Sequence, residues 1–493
     1  MVRELQVYCE IHPHHWTAAN IRAFAPAGII LSGGPNSAAT AESPTVADAV
    51  FSCGVPVLGI CYGMQAMTTA LGGAVEVAVD HEYGAATIHA DNDSPLFAGL
   101  AAAPLPVWMS HGDRVTRPPS GFTVIAQSDA SPVAAMADEV RQFYGLQFHP
   151  EVAHTRHGRG ILERFIRHIC RTAADWTMPN FIARQVETIR SSAGDEGVLL
   201  GLSGGVDSAV TAALLHRAIG ARLRCVLVDN GLMRQGETEE VRRVFEDHFG
   251  VNLTVLHAAD RFFAALRGVI DPEEKRRRIG LLFVEEFEAQ ALRFGDDVKW
   301  LAQGTIYPDV VESAGDGTGK KVIKSHHNVG GLPARLNLKL LEPLRDLFKD
   351  EVRQLGLDLG LPPRLVNRHP FPGPGLAVRV LGEVTPQRVD IARHADAVYL
   401  EELAGAGLYA ETAQAFAVLL PVQSVGVMGD NRTYDNVIAL RAVTTDDFMT
   451  ADWARLPDDF LARVSSRIIN TVSGVNRVVY DISSKPPATV EWE

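Results

Sequence analysis

Cysteine is scarce in this sequence, and long apolar runs are absent. Five cysteines are scattered among 493 residues, and none of them forms a CxxC pair. Such an odd, scattered set argues against a secreted disulfide framework or a zinc site and favours a reducing compartment. No apolar run reaches the roughly 18 residues of a membrane span, and the first residues are not typical of a signal peptide. We therefore expect a cytoplasmic protein with no membrane partner.

Positive charge is also in short supply. The chain has 46 Lys and Arg against 59 Asp and Glu, which gives a formal net charge of −13 and an isoelectric point near 5.7. Domains that bind nucleic acid generally carry a basic face, so this balance argues against nucleic acid as a partner. A small anionic substrate remains compatible, because local arginines and helix N-termini can supply positive potential.

Short apolar runs alternate with helical patterns in two stretches of the chain. GIILSG, PVLGI and RQFYGLQF belong to the first stretch, and VLLGL, LRCVLVDNG and NLTVLHA belong to the second. This alternation is typical of α/β domains with mainly parallel sheets. Residues 171–180 suggest a linker with a turn at Pro179, and the Pro- and Gly-rich segment 368–376 suggests a second boundary.

These patterns predict an α/β protein with two doubly wound, mainly parallel sheets and a small α+β domain at the end. A length of 493 residues is sufficient for about three domains, each with a normal core. The predicted domains are 1–174, 175–368 and 369–493.

A cysteine stands between a strand and a helix in PVLGICYGMQAM, where Gly59 and Gly63 flank Cys61. The pattern G-x-C-x-G is the thiol form of the hydrolase elbow, which exposes a nucleophile on a sharp turn. A helix N-terminus favours a thiolate over a thiol, and the backbone N–H of Tyr62 can face a developing oxyanion. The alternative is a buried, inert thiol, but the flanking glycines favour the nucleophile.

The segment FHPEV supplies a base for this thiol. Alternate residues of an extended strand point to one face, so the side chains of His149 and Glu151 can lie together. The carboxylate would orient the imidazole that takes the thiol proton. Cys61, His149 and Glu151 are therefore predicted to form an acyl-transfer triad.

The blocks GICYG, SHGDRV and GLQFHPEV resemble those of class I glutamine amidotransferases, which release ammonia from glutamine through a cysteinyl thioester. The resemblance implies that the segment SGG, with Gly33 and Gly34, contributes to the oxyanion hole. It also implies that four further residues surround the glutamine: Gln65, His111, Gly112 and Asp113.

A second chemical centre is expected at GLSGGVDSAV, residues 201–210, between a strand and a helix. The segment lacks the lysine of the G-x-x-x-x-G-K-[ST] loop. Its glycines allow backbone N–H groups to approach an anion, and the helix that begins near Asp207 adds its positive end. The carboxylate of Asp207 can help to hold Mg²⁺ against phosphates.

Three other segments favour the same anion site, and one of them, GTIYPDVVES at 304–313, follows another strand. VDNG ends the next strand at the same sheet edge, and KSHHNVGGLP brings Lys324, His326 and His327 together with glycines. The loop resembles the pyrophosphate-binding loop of N-type ATP pyrophosphatases, which implies that ATP is cleaved between its α and β phosphates. The residues assigned to ATP are Ser203, Gly204, Gly205, Val206, Asp207, Ser208, Ala209, Asp229 and Gly231.

The last third of the chain resembles the GMP synthetase family. HPFPGPGLAVRVLGEV, QSVGVMGDNRTYDNVIALRAV, DFMTADWA and NRVVYDISSKPPATVEWE carry the resemblance. It implies that ATP adenylates xanthosine 5′-monophosphate (XMP) at O2, and that ammonia from glutamine then displaces AMP to give GMP. It also implies a homodimer formed through the last domain. The XMP contacts that it implies are Arg276, Gln414, Arg477, Lys485 and Glu491.

The sequence departs from the family at its start. Family members carry a further strand that ends in a DFGSQ-like turn before this point, and the loss of a sheet strand would expose an edge. We expect either coding sequence upstream of Met1 or a domain that tolerates the loss. In the second case the enzyme would be an ammonia-dependent GMP synthetase with impaired glutaminase.

Three other functions fit the sequence less well. NAD synthesis could use the same loop, but the tail does not support it. Thiolation of tRNA would require a basic surface, which the net charge of −13 disfavours. A catalytically inactive scaffold should have lost part of the triad or of SGGVDS, and both are intact.

Overall fold

The computed structural model describes residues 1–38, 40, 43–100, 104–314, 337–428, 431–445 and 448–493. Within this part of the chain there are two compact units, Met1–Asn180 and Phe181–Glu493. Lys324, His326 and His327, which the sequence assigns to an anion site, lie outside the described residues. The bounds of the three predicted domains remain predictions.

The first unit contains a seven-stranded sheet. Its strands are β1 (Ile29–Leu31), β2 (Val57–Ile60), β3 (Ala74–Ala90), β4 (Leu105–Arg117), β5 (Thr123–Gln127), β6 (Ala135–Asp138) and β7 (Phe143–Leu146). The order is β1-β2-β7-β6-β5-β3-β4. β2 pairs in parallel with β1 and with β7, and the remaining pairs are antiparallel. The parallel part of this sheet is therefore the part that leads to Cys61.

The helices of the first unit are short. They are α1 (Ala18–Phe24), α2 (Asp48–Ser52), α3 (Tyr62–Ala70) and α4 (Gly158–Glu163), the last of which continues as a wider turn over Arg164–Ile169. Buried apolar side chains from β2, β7 and α4, such as Leu58, Leu146 and Leu162, form one cluster beneath the elbow cysteine. This cluster fixes the carboxyl end of β2.

The predicted turn at Pro179 is wrong. A helix, α5 (Met178–Ala193), begins inside the expected linker. Pro179 lies in its first turn, where a backbone N–H has no intrahelical partner to lose and the fixed φ of proline suits a helix.

A five-stranded sheet forms the start of the second unit. Its strands are β8 (Gly197–Leu202), β9 (Leu223–Asp229), β10 (Asn252–His257), β11 (Val298–Ala302) and β12 (Lys339–Leu341). The order is β10-β9-β8-β11-β12, and all four pairings are parallel. The associated helices are α6 (Val206–Ile219), α7 (Glu237–Arg242), α8 (Ala259–Leu266), α9 (Pro272–Phe294), α10 (Tyr307–Ala314), α11 (Lys349–Asp358) and α12 (Pro363–Val366).

The last part of the second unit is an α+β structure. Its strands are β13 (Gln414–Met428), β14 (Asn431–Thr444), β15 (Asp452–Trp453) and β16 (Val475–Tyr480), and its helices are α13 (Pro386–Gly405) and α14 (Asp458–Thr471). β13 and β14 form a long antiparallel hairpin, and β16 pairs with β14 in parallel. One buried apolar cluster joins Leu199 and Phe287 to Tyr399, Leu419 and Phe460. The last part therefore shares its core with the parallel sheet.

The predicted fold class is confirmed, with two α/β sheets and a small α+β region. The strand and helix periods of the sequence account for this result, because apolar runs of strand length alternate with amphipathic helices. The first sheet differs in detail from the prediction, because it is parallel only across β1-β2-β7 and its other four pairings are antiparallel. Among the described residues, none of the helices combines the length and apolar character that crossing a bilayer requires.

Candidate functional site

The nucleophile elbow is formed where β2 meets α3. Cys61 caps the helix with φ 51° and ψ −110°, a conformation that is costly for a residue with a side chain. A Cβ on Gly63 would lie 2.1 Å from the main-chain oxygen of Leu31, and one on Gly59 would lie 2.7 Å from the main-chain oxygen of Gly63. Both positions therefore require glycine, and the tight turn holds Cys61 at the end of the sheet.

A histidine and a glutamate accompany this cysteine. Nδ1 of His149 donates to Oε1 of Glu151 at 2.6 Å. The thiol of Cys61 lies next to the imidazole and donates to the main-chain oxygen of Ser110 at 3.5 Å. Cys61 and then Glu151 raise the pKa of His149 to about 10, against the opposing effect of burial. The imidazole is thus held protonated beside the sulfur, as an acyl-transfer triad requires.

The local backbone of this segment differs from the prediction. β7 ends at Leu146, and residues 147–151 form a bend and a turn rather than an extended strand. The two side chains meet because the chain turns at Pro150, not because they alternate on a strand. The contact is formed, but the strand geometry from which it was predicted is wrong.

Two glycines of the SGG segment lie beside the triad. A Cβ on Gly33 would lie 3.1 Å from Cε1 of His149 and 3.7 Å from Cβ of Cys61. A Cβ on Gly34 would contact the ring of Tyr62 at 3.7 Å. The backbone of this segment therefore passes next to the nucleophile without an intervening side chain.

The other residues assigned to glutamine are also close together. Nε2 of Gln65 donates to the main-chain oxygen of Asp113 at 2.9 Å, and Nδ1 of His111 lies 3.0 Å from the same oxygen. Ser37 donates to the Asp113 carboxylate at 2.5 Å. Burial lowers the pKa of His111, so the ring is favoured in its neutral form. Gly112 has little room for a side chain, because a Cβ there would lie 3.0 Å from Nδ1 of His81.

Sequence reasoning missed two polar residues of this site. Glu82 accepts from Ser128 at 3.0 Å and lies 3.2 Å from Nε2 of His111. The fully buried Gln147 accepts from Gln65 at 3.4 Å, and its Nε2 lies 3.9 Å from Sγ of Cys61. Gln147 belongs to the GLQFHPEV block and could have been found there, whereas no motif surrounds Glu82.

The glycine loop of the second unit is held by its own hydroxyls. It connects β8 to α6, and Gly205 is the residue that precedes the helix. Oγ of Ser208 accepts from the N–H of Ser203 at 3.2 Å and donates to the main-chain oxygen of Gly205 at 3.0 Å. Val206 and Ala209 are buried in the first turn of α6. The loop is thus a preformed turn at a helix N-terminus, which suits an anion.

A lysine reaches this loop from another helix. Nζ of Lys349, at the start of α11, lies 2.7 and 2.8 Å from the two carboxylate oxygens of Asp207. On the other side, Arg368 donates to the main-chain oxygen of Gly204 and to the carboxylate of Glu237. The loop itself has no lysine, and the positive side chain beside it comes instead from Lys349 on α11. Sequence reasoning missed Lys349 and Arg368, because each follows the loop by more than 140 residues.

The end of β9 lies at the same sheet edge. Asp229 is the last residue of β9, which pairs in parallel with β8. Its carboxylate accepts from the N–H of Gly231 at 3.1 Å and lies 3.7 Å from Nδ1 of His257. The carboxyl ends of neighbouring parallel strands are where open α/β sheets bind ligands.

Three of the residues assigned to XMP lie together at the end of the chain: Glu491 itself, and Gln414 and Arg276, which contact the last residues. Oε1 of Glu491 accepts from Nε2 of Gln414 at 2.7 Å and from Nη2 of Arg379 at 2.9 Å. Arg276 donates to the main-chain oxygen of Glu493. Arg379 is fully buried and was not predicted, although it ends the GPGLAVR block. Gln414, Glu491 and Arg276 thus belong to one region.

The other two residues assigned to XMP have different neighbours. Arg477 donates to Oγ of Ser424 at 2.6 Å, on the β13–β14 hairpin. Nζ of Lys485 donates to the main-chain oxygen of Phe448 at 2.5 Å. Among the described residues, no contact joins these two side chains to Glu491.

The two sites define a class of protein. A cysteine triad on an elbow and a glycine loop at the edge of a parallel sheet are the parts of a glutamine amidotransferase joined to an ATP pyrophosphatase. Three family models match the chain: "Glutamine amidotransferase class-I" over 1–169, "NAD synthase" over 177–276 and "GMP synthase C terminal domain" over 401–492.

Similar proteins extend over the whole length. "GMP synthase [glutamine-hydrolyzing]" of Aromatoleum aromaticum is 59% identical over 500 residues, which cover 100% of this chain and 96% of that protein. The protein of that name from Escherichia coli O127:H6 is also 59% identical, with 100% and 95% covered. A crystal structure from Thermotoga maritima, of a glutamine amidotransferase, is 20% identical and covers 30% of this chain and 79% of its own, with a TM-score of 0.26. The chain belongs to the family of glutamine-hydrolysing GMP synthases and is an enzyme of the ligase type.

Proposed function

We propose that this chain makes GMP from XMP, ATP and glutamine, with its two sites dividing the work. The observation that carries the proposal is that an assembled Cys61–His149–Glu151 triad and a lysine-assisted glycine loop occur in one chain. Relatives named "GMP synthase [glutamine-hydrolyzing]" match this chain over its full length.

In the first site, Sγ of Cys61 attacks the amide carbon of glutamine. The imidazolium of His149 gives its proton to the departing nitrogen, so that ammonia leaves and a thioester remains. His149 then takes a proton from water, which attacks the thioester and releases glutamate. The N–H of Tyr62 and the backbone of Gly33 and Gly34 would stabilise the oxyanion, while Gln65 and the segment His111–Asp113 would hold the substrate.

In the second site, the glycine loop would hold the pyrophosphate part of ATP. Backbone N–H groups at the start of α6 and the Nζ of Lys349 would meet the phosphate oxygens, and Asp229 with Gly231 would lie at the same edge. A carboxylate at this position fits Mg²⁺, which is commonly bound through one or two carboxylates together with substrate phosphates. Asp207 would hold the ion, which, when bound, neutralises phosphate charge. The products of this step are the XMP adenylate and pyrophosphate.

Ammonia then attacks C2 of the adenylated purine, and AMP leaves to give GMP. Glu491 is suited to accept a hydrogen bond from a purine N–H, since Gln414 and Arg379 fix its carboxylate from two sides. Arg276, Arg477 and Lys485 would meet the dianionic phosphate. Arg477 and Lys485 would need to approach the others when XMP binds or act from a second copy.

Two alternatives are less well supported. An ammonia-dependent enzyme with impaired glutaminase would be favoured by a disrupted triad, but His149 donates to Glu151 and its ring lies next to Cys61. The match to an NAD synthase model covers only 177–276. Glu491 and the two side chains that bind its carboxylate, Gln414 and Arg379, lie outside that range and support XMP as the substrate.

A homodimer through the last domain and a cytoplasmic location complete the proposal. Val425, Val427 and Tyr434 are exposed apolar residues on the β13–β14 hairpin, where a second copy could cover them. The five cysteines are all free thiols, which suits a reducing compartment.

The decisive experiment supplies nitrogen in two forms. Wild type and Cys61→Ala are incubated with XMP, ATP, Mg²⁺ and either glutamine or ammonium, and GMP is measured. We expect Cys61→Ala to lose the glutamine-driven reaction and to keep the ammonium-driven one. Equal loss of both reactions would contradict the division of labour, and the absence of GMP with wild type would contradict the function itself.

A further inference from the structure

A lysine is completely buried in the second unit. Lys275, on α9, has an exposed fraction of 0%. Its Nζ donates to the main-chain oxygen of Val380 at 2.9 Å, to that of Ala377 at 3.3 Å and to the carboxylate of Glu493. All three ammonium protons therefore have acceptors, although burial still lowers the pKa of Lys275.

Glu493 is held from several directions. One carboxylate oxygen accepts from Lys275, and the other lies 3.4 Å from the N–H of Gly382. Its main-chain oxygen accepts from Arg276, the next residue on α9. We call Lys275, Arg276 and Glu493 the tail anchor.

The tail anchor is connected to the residues that hold Glu491. The carbonyl groups of Ala377 and Val380 flank Arg379, whose guanidinium binds the Glu491 carboxylate through two nitrogens. Glu493 lies two residues after Glu491. Lys275 thus binds two segments: the one that contains Arg379, which donates to Glu491, and the end of the chain, which contains Glu491 itself.

Stability alone does not explain a charged group at this position. A buried ion pair is often no more stabilising than apolar residues of the same size, because both charges lose their hydration. The bonds of Lys275 instead go to the two segments that fix Glu491. A fixed geometry at a binding group reduces the entropy that is lost when the ligand binds.

We propose that Lys275 and Glu493 are positioning residues of the XMP site, which act by holding Glu491 in the orientation that the purine requires. This inference rests on the proposed function, since it assumes that Glu491 binds XMP. It assigns to these two residues no contact with the substrate.

The test compares Lys275→Met, Glu493→Gln and the double variant in the ammonium-driven reaction. Arg277→Met is the matched control, because Arg277 lies on the same helix but is exposed and pairs with Glu274. We expect each single variant to raise the KM for XMP by about tenfold or more, as the loss of a charged hydrogen bond would. The KM for ATP should stay within about twofold of wild type, and the control should behave as wild type.

The double variant separates positioning from general damage. If both residues act through one contact, the double variant should have an XMP KM no higher than that of the worse single variant. An unchanged XMP KM in Glu493→Gln, whose replacement has the same shape, would overturn the inference even if Lys275→Met fails to fold. So would a parallel rise in the KM values of XMP and ATP. Absence of GMP formation by wild type would instead refute the proposed function.

Discussion

Replacement of Glu151 by glutamine tests the electrostatics of the triad most sharply. The substitution keeps the size of the side chain and its ability to accept from Nδ1 of His149, but it removes the negative charge. In wild type this carboxylate lies 2.6 Å from the ring nitrogen and is the second of the causes that raise the pKa of His149 to about 10. The variant should therefore lower the pKa of His149 toward its ordinary value.

The size of the effect follows from the exposure of the pair. A hydrogen bond to a charged group contributes about 1.5–3 kcal/mol. The Glu151 side chain is 42% exposed, so solvent screening places its contribution near the low end, at about 1.5–2 kcal/mol. We therefore expect the rate of glutamine hydrolysis to fall by about 10- to 30-fold at neutral pH.

The pH dependence has a defined sign. The proton on His149 is needed by the departing ammonia, and in wild type it is retained up to pH about 10. With a lower pKa, Glu151→Gln loses this proton at lower pH. The ratio of variant to wild-type activity should thus decrease as the pH rises from 7 to 9, and the alkaline limb of the rate profile should move to lower pH.

The assay measures glutamate release and GMP formation with glutamine or with ammonium. Glu163→Gln, an exposed glutamate of the same unit, serves as the control and should resemble wild type. Ammonium-driven GMP formation should be unchanged in both variants. The reasoning would be refuted if Glu151→Gln hydrolysed glutamine at the wild-type rate, or if its alkaline limb moved to higher pH.

Two further predictions concern the turns that form the sites. Gly63→Ala would place a methyl group 2.1 Å from a main-chain oxygen of β1. It should lower the free energy of unfolding by about 1–3 kcal/mol and abolish glutamine hydrolysis, whereas Gly405→Ala, which has open space around it, should change neither in thermal unfolding and glutaminase assays. Asp207→Ala should reduce GMP formation from glutamine and from ammonium alike by about a hundredfold or more, and retained ammonium-driven turnover would contradict its assignment to Mg²⁺. The exposed Asp195, changed to Ala, should have no effect on either reaction.

Much of the fold could be predicted because strand-length apolar runs and helical periods alternate along the chain. The nucleophile could also be predicted, since G-x-C-x-G requires a tight turn wherever it occurs between a strand and a helix. The contact between His149 and Glu151 was predicted correctly, but from the wrong backbone geometry. Proximity in sequence brings them together, but through a turn rather than a strand.

The remaining site residues depend on contacts between distant parts of the chain. Lys349 reaches the glycine loop from a helix 142 residues away, and its own surroundings in the sequence carry no phosphate motif. Arg379 is separated from Glu491 by 112 residues. Hydrophobic periodicity and short motifs describe local structure. They therefore predict which strands end at a sheet edge, but not which side chains from later in the chain pack against that edge.

The products of ATP test the central claim most directly. Purified protein would be incubated with XMP, ATP, Mg²⁺ and glutamine, and AMP, pyrophosphate, ADP and phosphate would be measured together with GMP. A glycine loop that holds pyrophosphate predicts one AMP and one pyrophosphate for each GMP. Formation of ADP and phosphate instead, with no AMP when XMP is present, would contradict it.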